Sequence, residues 1–174
     1  MKIKIAKTLL SATLYLCAMS GYASGYVQHD NFITIHVKNQ TAHGPKVVRL
    51  QVIGDKIIRV QSTDESVVKP KQSLIIVSQK AKPQFKVIEN SGNVIVATSC
   101  VKAFVNENTG RVTFKDTKGK TILAESSVGG KTFTPYIVPE REIGVDSHLT
   151  ESQKHGVSWH ALFGSPADEA FYGL

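Results

Sequence analysis

Apolar and polar residues alternate along most of the chain from residue 32 onward, in short runs separated by turn residues. The run FITIHVK (32–38) places Ile33, Ile35 and Val37 on one side and polar or smaller groups on the other. A period of two residues is the pattern of a β-strand that buries one face. We therefore expect a strand here, with these three side chains in a core.

Two further alternating runs flank Gly54-Asp55, namely VVRLQVI (47–53) and KIIRVQS (56–62). The first run aligns its apolar residues at positions 48, 50 and 52, and the second aligns Ile58 and Val60. Alternating runs on either side of a two-residue Gly-Asp loop indicate a β-hairpin.

The same composition continues through six more runs that are rich in β-branched or aromatic residues: SLIIVS (73–78), FKVIE (85–89), VIVATS (94–99), VKAFVNE (101–107), RVTFKD (111–116) and TILAE (121–125). Turn residues separate them at a spacing of roughly 8–12 residues, which is typical of a sandwich or barrel. No segment has the period of an amphipathic helix of three turns. These patterns predict an all-β fold, an antiparallel β-sandwich.

Residues 126–158 differ, because they are rich in Gly, Ser, Pro and charged residues and contain one strand-like piece, KTFTPYIVP (131–139). We expect a long connection here, followed by a closing strand, GVSWHALF (156–163). The run SPADEAF (165–171) predicts one short helical turn with Ser165 as its N-cap.

The N-terminus has the features of a secretory signal peptide. Three lysines precede the apolar run LLSATLYLCAM (9–19), and small residues follow at 20–25. The run is too short for a membrane span, which takes about 20 residues. Lipid attachment at Cys17 is disfavoured by the bulky Leu16 before it. We expect residues 1–25 to be removed and the protein to be exported, periplasmic or secreted.

Charge and cysteine content narrow the function further. Loss of the leader removes three lysines and no acidic residue, so the formal net charge falls from +7 to +4. The remaining basic residues are scattered, which argues against a nucleic-acid-binding face. Cys100 is then the only cysteine, and its apolar surroundings predict a small buried side chain rather than a catalytic thiol.

The end of the chain resembles a join in glycoside hydrolase family 31. FGSPADEAFYGL (163–174) is similar to the family's strand followed by D-E-x-[LF]-Y-G-L-G-Q, up to the missing Gly-Gln. VVRLQVIGDKIIRVQSTDE (47–65) and the segment 98–126 resemble strands of the family's N-terminal sandwich. The resemblance covers most of residues 30–174. The leader and WHALFGSPADEAFYGL (159–174) are similar to bacterial α-xylosidase-like members.

This resemblance implies a galactose-mutarotase-like sandwich over 26–164, with 165–174 as the start of a linker to a (β/α)8 catalytic barrel that this chain lacks. The full enzyme would be a retaining α-xylosidase or α-glucosidase. Its catalytic carboxylates would lie on the barrel, so the resemblance implies no catalytic residue here. The partners implied are the chain's own barrel and an oligosaccharide substrate. A loop from 126–156 would reach the rim of the substrate pocket.

The acidic residues themselves offer no convincing catalytic pair. A retaining glycosidase needs two carboxylates about 5–5.5 Å apart. The candidates are Glu140 with Glu142 and Asp146 in the long connection, and the adjacent Asp168 and Glu169. Adjacent strand residues point to opposite faces, and exposed loop charges are the commoner case for such residues.

The histidines suggest no metal site. They stand singly, without an accompanying cluster of cysteines or acids, whereas zinc needs three or four converging ligands. We expect no metal and no cofactor. The residues in question are His29, His36, His43, His148, His155 and His160.

Trp159 and Tyr172 are the candidate sugar-binding residues, because the apolar face of a sugar ring stacks on aromatic rings. The alternative for Trp159 is a core position, which aromatic burial favours, and for Tyr172 an interface with the barrel. Arg49 and Arg59 are interpreted as outward-facing charges. A second function also fits the pattern: a complete, secreted sandwich that binds carbohydrate without cleaving it. A scaffold or adhesion domain is a third.

Overall fold

The computed structural model describes residues 25–69, 82–128, 130–137 and 155–164. Within these ranges the chain forms eleven strands and no helix, which confirms the all-β prediction. The predicted leader up to residue 24, the SLIIVS run and the predicted turn at 165–171 lie outside the described residues. None of the described segments is a helix that could cross a membrane.

The first sheet contains β1 (Tyr26–Gln28), β2 (Phe32–His36), β3 (Val47–Gly54) and β4 (Ile57–Thr63), all antiparallel and in that spatial order. Strand β1 was not anticipated from the sequence, because three residues are too few to show an alternation.

Strands β3 and β4 form the predicted hairpin, but its turn lies one residue later, at Asp55 and Lys56. Gly54 extends β3, and the pairing shifts between Val52 and Gly54 in a β-bulge. A bulge inserts one extra residue into one strand, and this accounts for the displaced turn.

The second sheet is a meander in which each strand pairs antiparallel with the next. Its strands are β5 (Lys86–Asn90), β6 (Asn93–Ala97), β7 (Val101–Asn106), β8 (Val112–Asp116) and β9 (Thr121–Ala124). All five were predicted, with ends that differ by one or two residues.

Both sheets contribute to one buried core, so they pack face to face as a sandwich. The first sheet supplies the apolar side of its alternating strands, which confirms the inward positions predicted for β2 and β3. The second sheet supplies β6, β7 and the first residue of β8. The buried members are Ile33, Ile35, Val37, Val48, Leu50, Val52, Val94, Val96, Ala103, Val105 and Val112.

A two-stranded ribbon lies apart from both sheets and consists of β10 (Lys131–Ile137) and β11 (His155–Ala161). It is anchored to the end of β9 by an antiparallel bridge between Glu125 and Phe163. The backbone N–H of Gly164 also donates to the Ala124 carbonyl at 2.9 Å. GVSWHALF forms a strand as predicted, but β11 pairs with β10 and does not close either sheet of the sandwich.

A polar contact ties the two sheets together at one end. The Thr98 hydroxyl donates to the Asp55 carbonyl at 2.5 Å, and the Ser99 hydroxyl donates to the Asp55 carboxylate at 2.8 Å. The Thr98 hydroxyl also accepts the backbone N–H of Val101 at 3.0 Å. This turn ends β6 two residues earlier than predicted and leaves Cys100 half-buried rather than in the core.

The glycines of two hairpin turns provide a matched pair for a stability test. Gly92 and Gly110 both have positive φ, 73° and 71°. A Cβ on Gly92 would meet nothing within 4 Å, whereas one on Gly110 would lie 2.9 Å from Val37 Cγ2 and 3.0 Å from Pro45 Cγ.

We expect Gly92→Ala to lower the free energy of unfolding by about 1–2 kcal/mol, the cost of a left-handed residue. Gly110→Ala adds overpacking of about 1–3 kcal/mol to that strain. Urea unfolding of the two variants measures the difference, and equal destabilisation would contradict the close packing around Gly110.

Candidate functional site

An apolar groove of about 570 Å³ opens between the two sheets and the ribbon. Ile58 and Val60 of β4 form one wall, and Phe114 of β8 and Leu123 of β9 form the other. Ile58, Val60 and Phe114 pack against the core but stay only partly buried. Among the described residues, therefore, nothing covers the sandwich core along this side.

The ribbon supplies the third wall. Across its ladder Phe133 lies directly opposite Trp159, and Lys131 lies opposite Ala161. Residues opposite each other in a ladder share a face, so one face of the ribbon is turned to the groove. We call this space the groove; it is lined by Ile58, Val60, Ser62, Asp64, Phe114, Leu123, Glu125, Lys131, Phe133, Val157, Trp159, Ala161 and Phe163.

Trp159 does not lie in the sandwich core, which was the favoured interpretation of its sequence context. It stands on β11 with 55% of its surface exposed and lines the groove. Trp159 stays outside the core because β11 belongs to the ribbon and not to either sheet of the sandwich. The aromatic ring is therefore available for contact with a ligand or another segment.

A second hollow of about 490 Å³ continues the apolar surface beyond the groove. It shares Ile58, Phe114 and Leu123 with the groove and adds the exposed side chains of Ile57 and Ile122. A contiguous exposed apolar surface on a folded protein usually marks a site that binds a ligand or another protein segment.

A buried ion pair closes one end of the groove. The Lys131 side chain is 2% exposed, and its ammonium donates to Glu125 Oε1 at 2.6 Å and to the Gly110 carbonyl at 3.1 Å. Glu125 Oε2 accepts the backbone N–H of Val112 at 2.9 Å. The pair connects the ribbon to β8 and to the turn before it, and so fixes the ribbon relative to the sandwich.

Burial lowers the pKa of Lys131 below its ordinary value of about 10.5, because loss of solvation outweighs the opposing attraction of Glu125. The folded chain therefore releases this proton at lower pH than the unfolded chain does. Between the lowered pKa and 10.5 the unfolded state binds more protons, so this group makes the free energy of unfolding rise with pH.

Urea unfolding between pH 8 and about 10.5 tests this, since 10.5 is near the ordinary lysine pKa. The stability of the wild-type chain relative to Lys131→Met should increase as the pH rises. Replacement of the exposed Lys69 by methionine is the control and should show no such trend. A difference that falls with pH would contradict the direction of the shift.

Most of the other sequence candidates fall outside the part of the chain that the structure describes. Tyr172, the carboxylates at 140, 142, 146, 168 and 169, and His148 lie outside the described residues. Among the described residues no three His, Cys, Asp or Glu side chains are grouped as metal ligands would be. His160 contacts the Ser158 hydroxyl at 2.9 Å, and His43 Nδ1 lies 3.2 Å from the Phe133 carbonyl.

Arg49 is not simply an outward-facing charge, as the sequence suggested. It is half-buried, its guanidinium lies 4.5 Å from the centre of the Phe32 ring, and it donates to the Val68 carbonyl at 3.3 Å. It holds the segment after β4 against the outer face of the first sheet.

No sequence pattern pointed to the Glu125–Lys131 pair. The two residues are six positions apart across a Gly-rich connection, and either alone looks like a surface charge. They meet only because the ribbon turns back over the end of β9.

Comparison with solved structures relates this architecture to known enzymes. The chain is similar to a part of a family 31 α-xylosidase from Xanthomonas citri, with 28% sequence identity and a TM-score of 0.64. The match covers 81% of this chain and 14% of that enzyme, so the chain spans a small part of the protein that it resembles.

Two further matches carry no weight here, because their TM-scores are below 0.5. A family 31 α-xylosidase from a soil metagenome, complexed with xylose, is 19% identical with a TM-score of 0.47, over 59% of this chain and 14% of that one. A family 31 dextranase from Flavobacterium johnsoniae, complexed with glucose, is 14% identical with a TM-score of 0.49, over 66% and 15%.

No protein-family model matches the sequence. The Xanthomonas match nevertheless agrees with the resemblance that the strand hairpin and the DEAFYGL ending indicated. The chain is an antiparallel all-β protein whose structural similarity to a family 31 α-xylosidase is consistent with an N-terminal domain of glycoside hydrolase family 31.

Proposed function

We propose that the chain is the non-catalytic N-terminal domain of an exported family 31 α-glycosidase, an α-xylosidase or α-glucosidase. One observation carries the proposal: 81% of the chain matches the Xanthomonas α-xylosidase, but the match occupies only 14% of that enzyme. The unmatched part of the Xanthomonas enzyme is long enough for a (β/α)8 barrel, which takes about 250 residues. On this proposal the sandwich supports the barrel, and the barrel carries out the chemistry.

The buried carboxylates of the described residues support a structural role. Glu125 is engaged by Lys131, and Glu107 is paired with Lys38. Lys38 also donates its backbone N–H to the Glu107 carbonyl at 2.8 Å, so this pair fastens the segment after β2 to the end of β7. Each of these acids is engaged by a lysine and holds parts of the sandwich together.

On this proposal the ribbon is the part of the domain that lies nearest to the substrate pocket of the barrel. Its two strands are joined through residues 138–154, which lie outside the described residues, and its base is fixed by the Lys131–Glu125 pair. We propose that the connection within 126–156 reaches the rim of the barrel's substrate pocket. A rigid base with a long connection is suited to such a role.

The length of the protein in its source cell tests the proposal. An antibody raised against this chain should detect a protein several times larger than 19.0 kDa, because the matched part is 14% of the Xanthomonas enzyme. A single band at or below 19.0 kDa would contradict the proposal and favour a stand-alone domain.

A second function is favoured by the exposure of Trp159. A stand-alone, secreted sandwich could bind oligosaccharide by stacking a sugar ring on this side chain in the groove. In that case Trp159→Ala should weaken binding of xyloglucan oligosaccharides by about 10-fold or more, since an aromatic contact is worth about 0.5–1.5 kcal/mol beyond the area that it buries. Trp159→Phe, which keeps a ring, is the control and should retain most of the affinity in calorimetric titration.

A further inference from the structure

The described chain ends at the rim of the groove. Phe163 lines the groove, and Gly164 is fixed beside it by its hydrogen bond to the Ala124 carbonyl. This bond is part of the antiparallel bridge between Glu125 and Phe163, whose other bond runs from the backbone N–H of Ser126 to the Leu162 carbonyl at 2.8 Å. The described residues therefore end next to an open apolar surface.

The segment that follows has the composition to cover such a surface. SPADEAFYGL (165–174) carries Phe171, Tyr172 and Leu174, three large side chains within four residues. Ten extended residues reach up to about 33 Å, and neighbouring strands lie about 4.8 Å apart. The segment is thus long enough to turn back and lie along the groove.

The groove also offers an extended segment both apolar packing and backbone hydrogen bonds. Its walls present Trp159 and Phe163, each half-exposed, together with the open core-facing side chains of β4. Within the described ranges β4 pairs with β3 alone, so it has an edge available for backbone hydrogen bonds. A free strand edge beside an apolar surface is a position at which another strand adds readily.

We propose that residues 165–174 of this chain fill the groove, with Phe171 and Tyr172 packed against Trp159. The segment is covalently attached at the rim, so its effective concentration there is in the millimolar range. That advantage favours it over a second copy of the chain or a free oligosaccharide. The proposal concerns contacts within the chain and does not depend on the presence of a barrel.

The single tryptophan of the sequence makes the test direct, because all indole fluorescence reports from Trp159. The emission maximum and acrylamide quenching of the full chain should be compared with those of the double variant Phe171→Ala/Tyr172→Ala. A third sample is the chain shortened to end at Gly164. Ile137→Ala, an exposed apolar residue that does not line the groove, is the matched control.

The proposal predicts a blue-shifted emission and several-fold weaker quenching in the full chain and in the control. The double variant and the shortened chain should both be red-shifted and quenched more strongly. Identical quenching in all four samples would overturn the proposal. So would protection that appears only as the protein concentration rises, which would indicate a second copy, or only on addition of xyloglucan oligosaccharides.

Discussion

Replacement of Leu50 by alanine is expected to lower the free energy of unfolding by about 3 kcal/mol, within the range for buried leucine. Leu50 is fully buried in β3, opposite Ile33 on β2 and Val60 on β4. It belongs to the core that both sheets share. The loss is large against a typical total stability of about 5–15 kcal/mol. Equilibrium unfolding in urea measures it, and the midpoint should fall without a change in slope.

Leu162→Ala makes the same chemical change on a side chain that is 54% exposed. It should cost about 0.5 kcal/mol or less, as surface substitutions usually do. Equal losses at positions 50 and 162 would mean that the two sheets do not enclose a common core. If Leu50→Ala does not fold, Ile33→Val should still fold and should cost about 0.5–1.5 kcal/mol.

The second large effect is expected from Lys131→Met, which leaves the Glu125 carboxylate buried without its partner. Removal of one member of a buried pair costs about 3–5 kcal/mol. Because the pair anchors the ribbon, the loss should also expose Trp159 further and shift its emission to the red. Unfolding and fluorescence recorded on the same sample measure both effects.

A double-mutant cycle separates the pair from the individual side chains. The variant Lys131→Met/Glu125→Gln should lose less stability than the two single variants combined, with a coupling of about 0.5–3 kcal/mol. The exposed pair of Lys69 and Glu65 is the matched control, and its removal should cost less than about 1 kcal/mol. Strict additivity at 125 and 131 would contradict the buried contact.

Strand positions could be predicted where alternation was long and turns were marked by glycine or asparagine. Most strands from β2 to β9 follow that rule, because a period of two with one apolar face leaves a single register that buries this face; the exception is the turn between β6 and β7, Thr98–Cys100, which contains neither residue. The sequence could not reveal which strands pair across long gaps. The partner of β11 is β10, across residues 138–154, and no local pattern encodes that choice.

The sequence identified Trp159 as a candidate site residue but did not indicate that it lies on a separate ribbon beside the groove. Trp159 was selected as the only tryptophan, but its context resembled a core strand, since an inward face looks the same in a ribbon and in a sheet. The Glu125–Lys131 pair could not be predicted, because burial of a charge depends on tertiary packing. Tyr172, the other candidate, lies outside the described residues and remains a prediction.

Hydrolysis of nitrophenyl α-xyloside and α-glucoside by the purified chain tests the central claim most directly, with a complete family 31 α-xylosidase as the positive control. Binding of xyloglucan oligosaccharides should be recorded on the same sample. A support domain without its barrel should show neither turnover nor binding. Turnover that survives repurification would contradict the account, because it would require a catalytic carboxylate pair within these 174 residues.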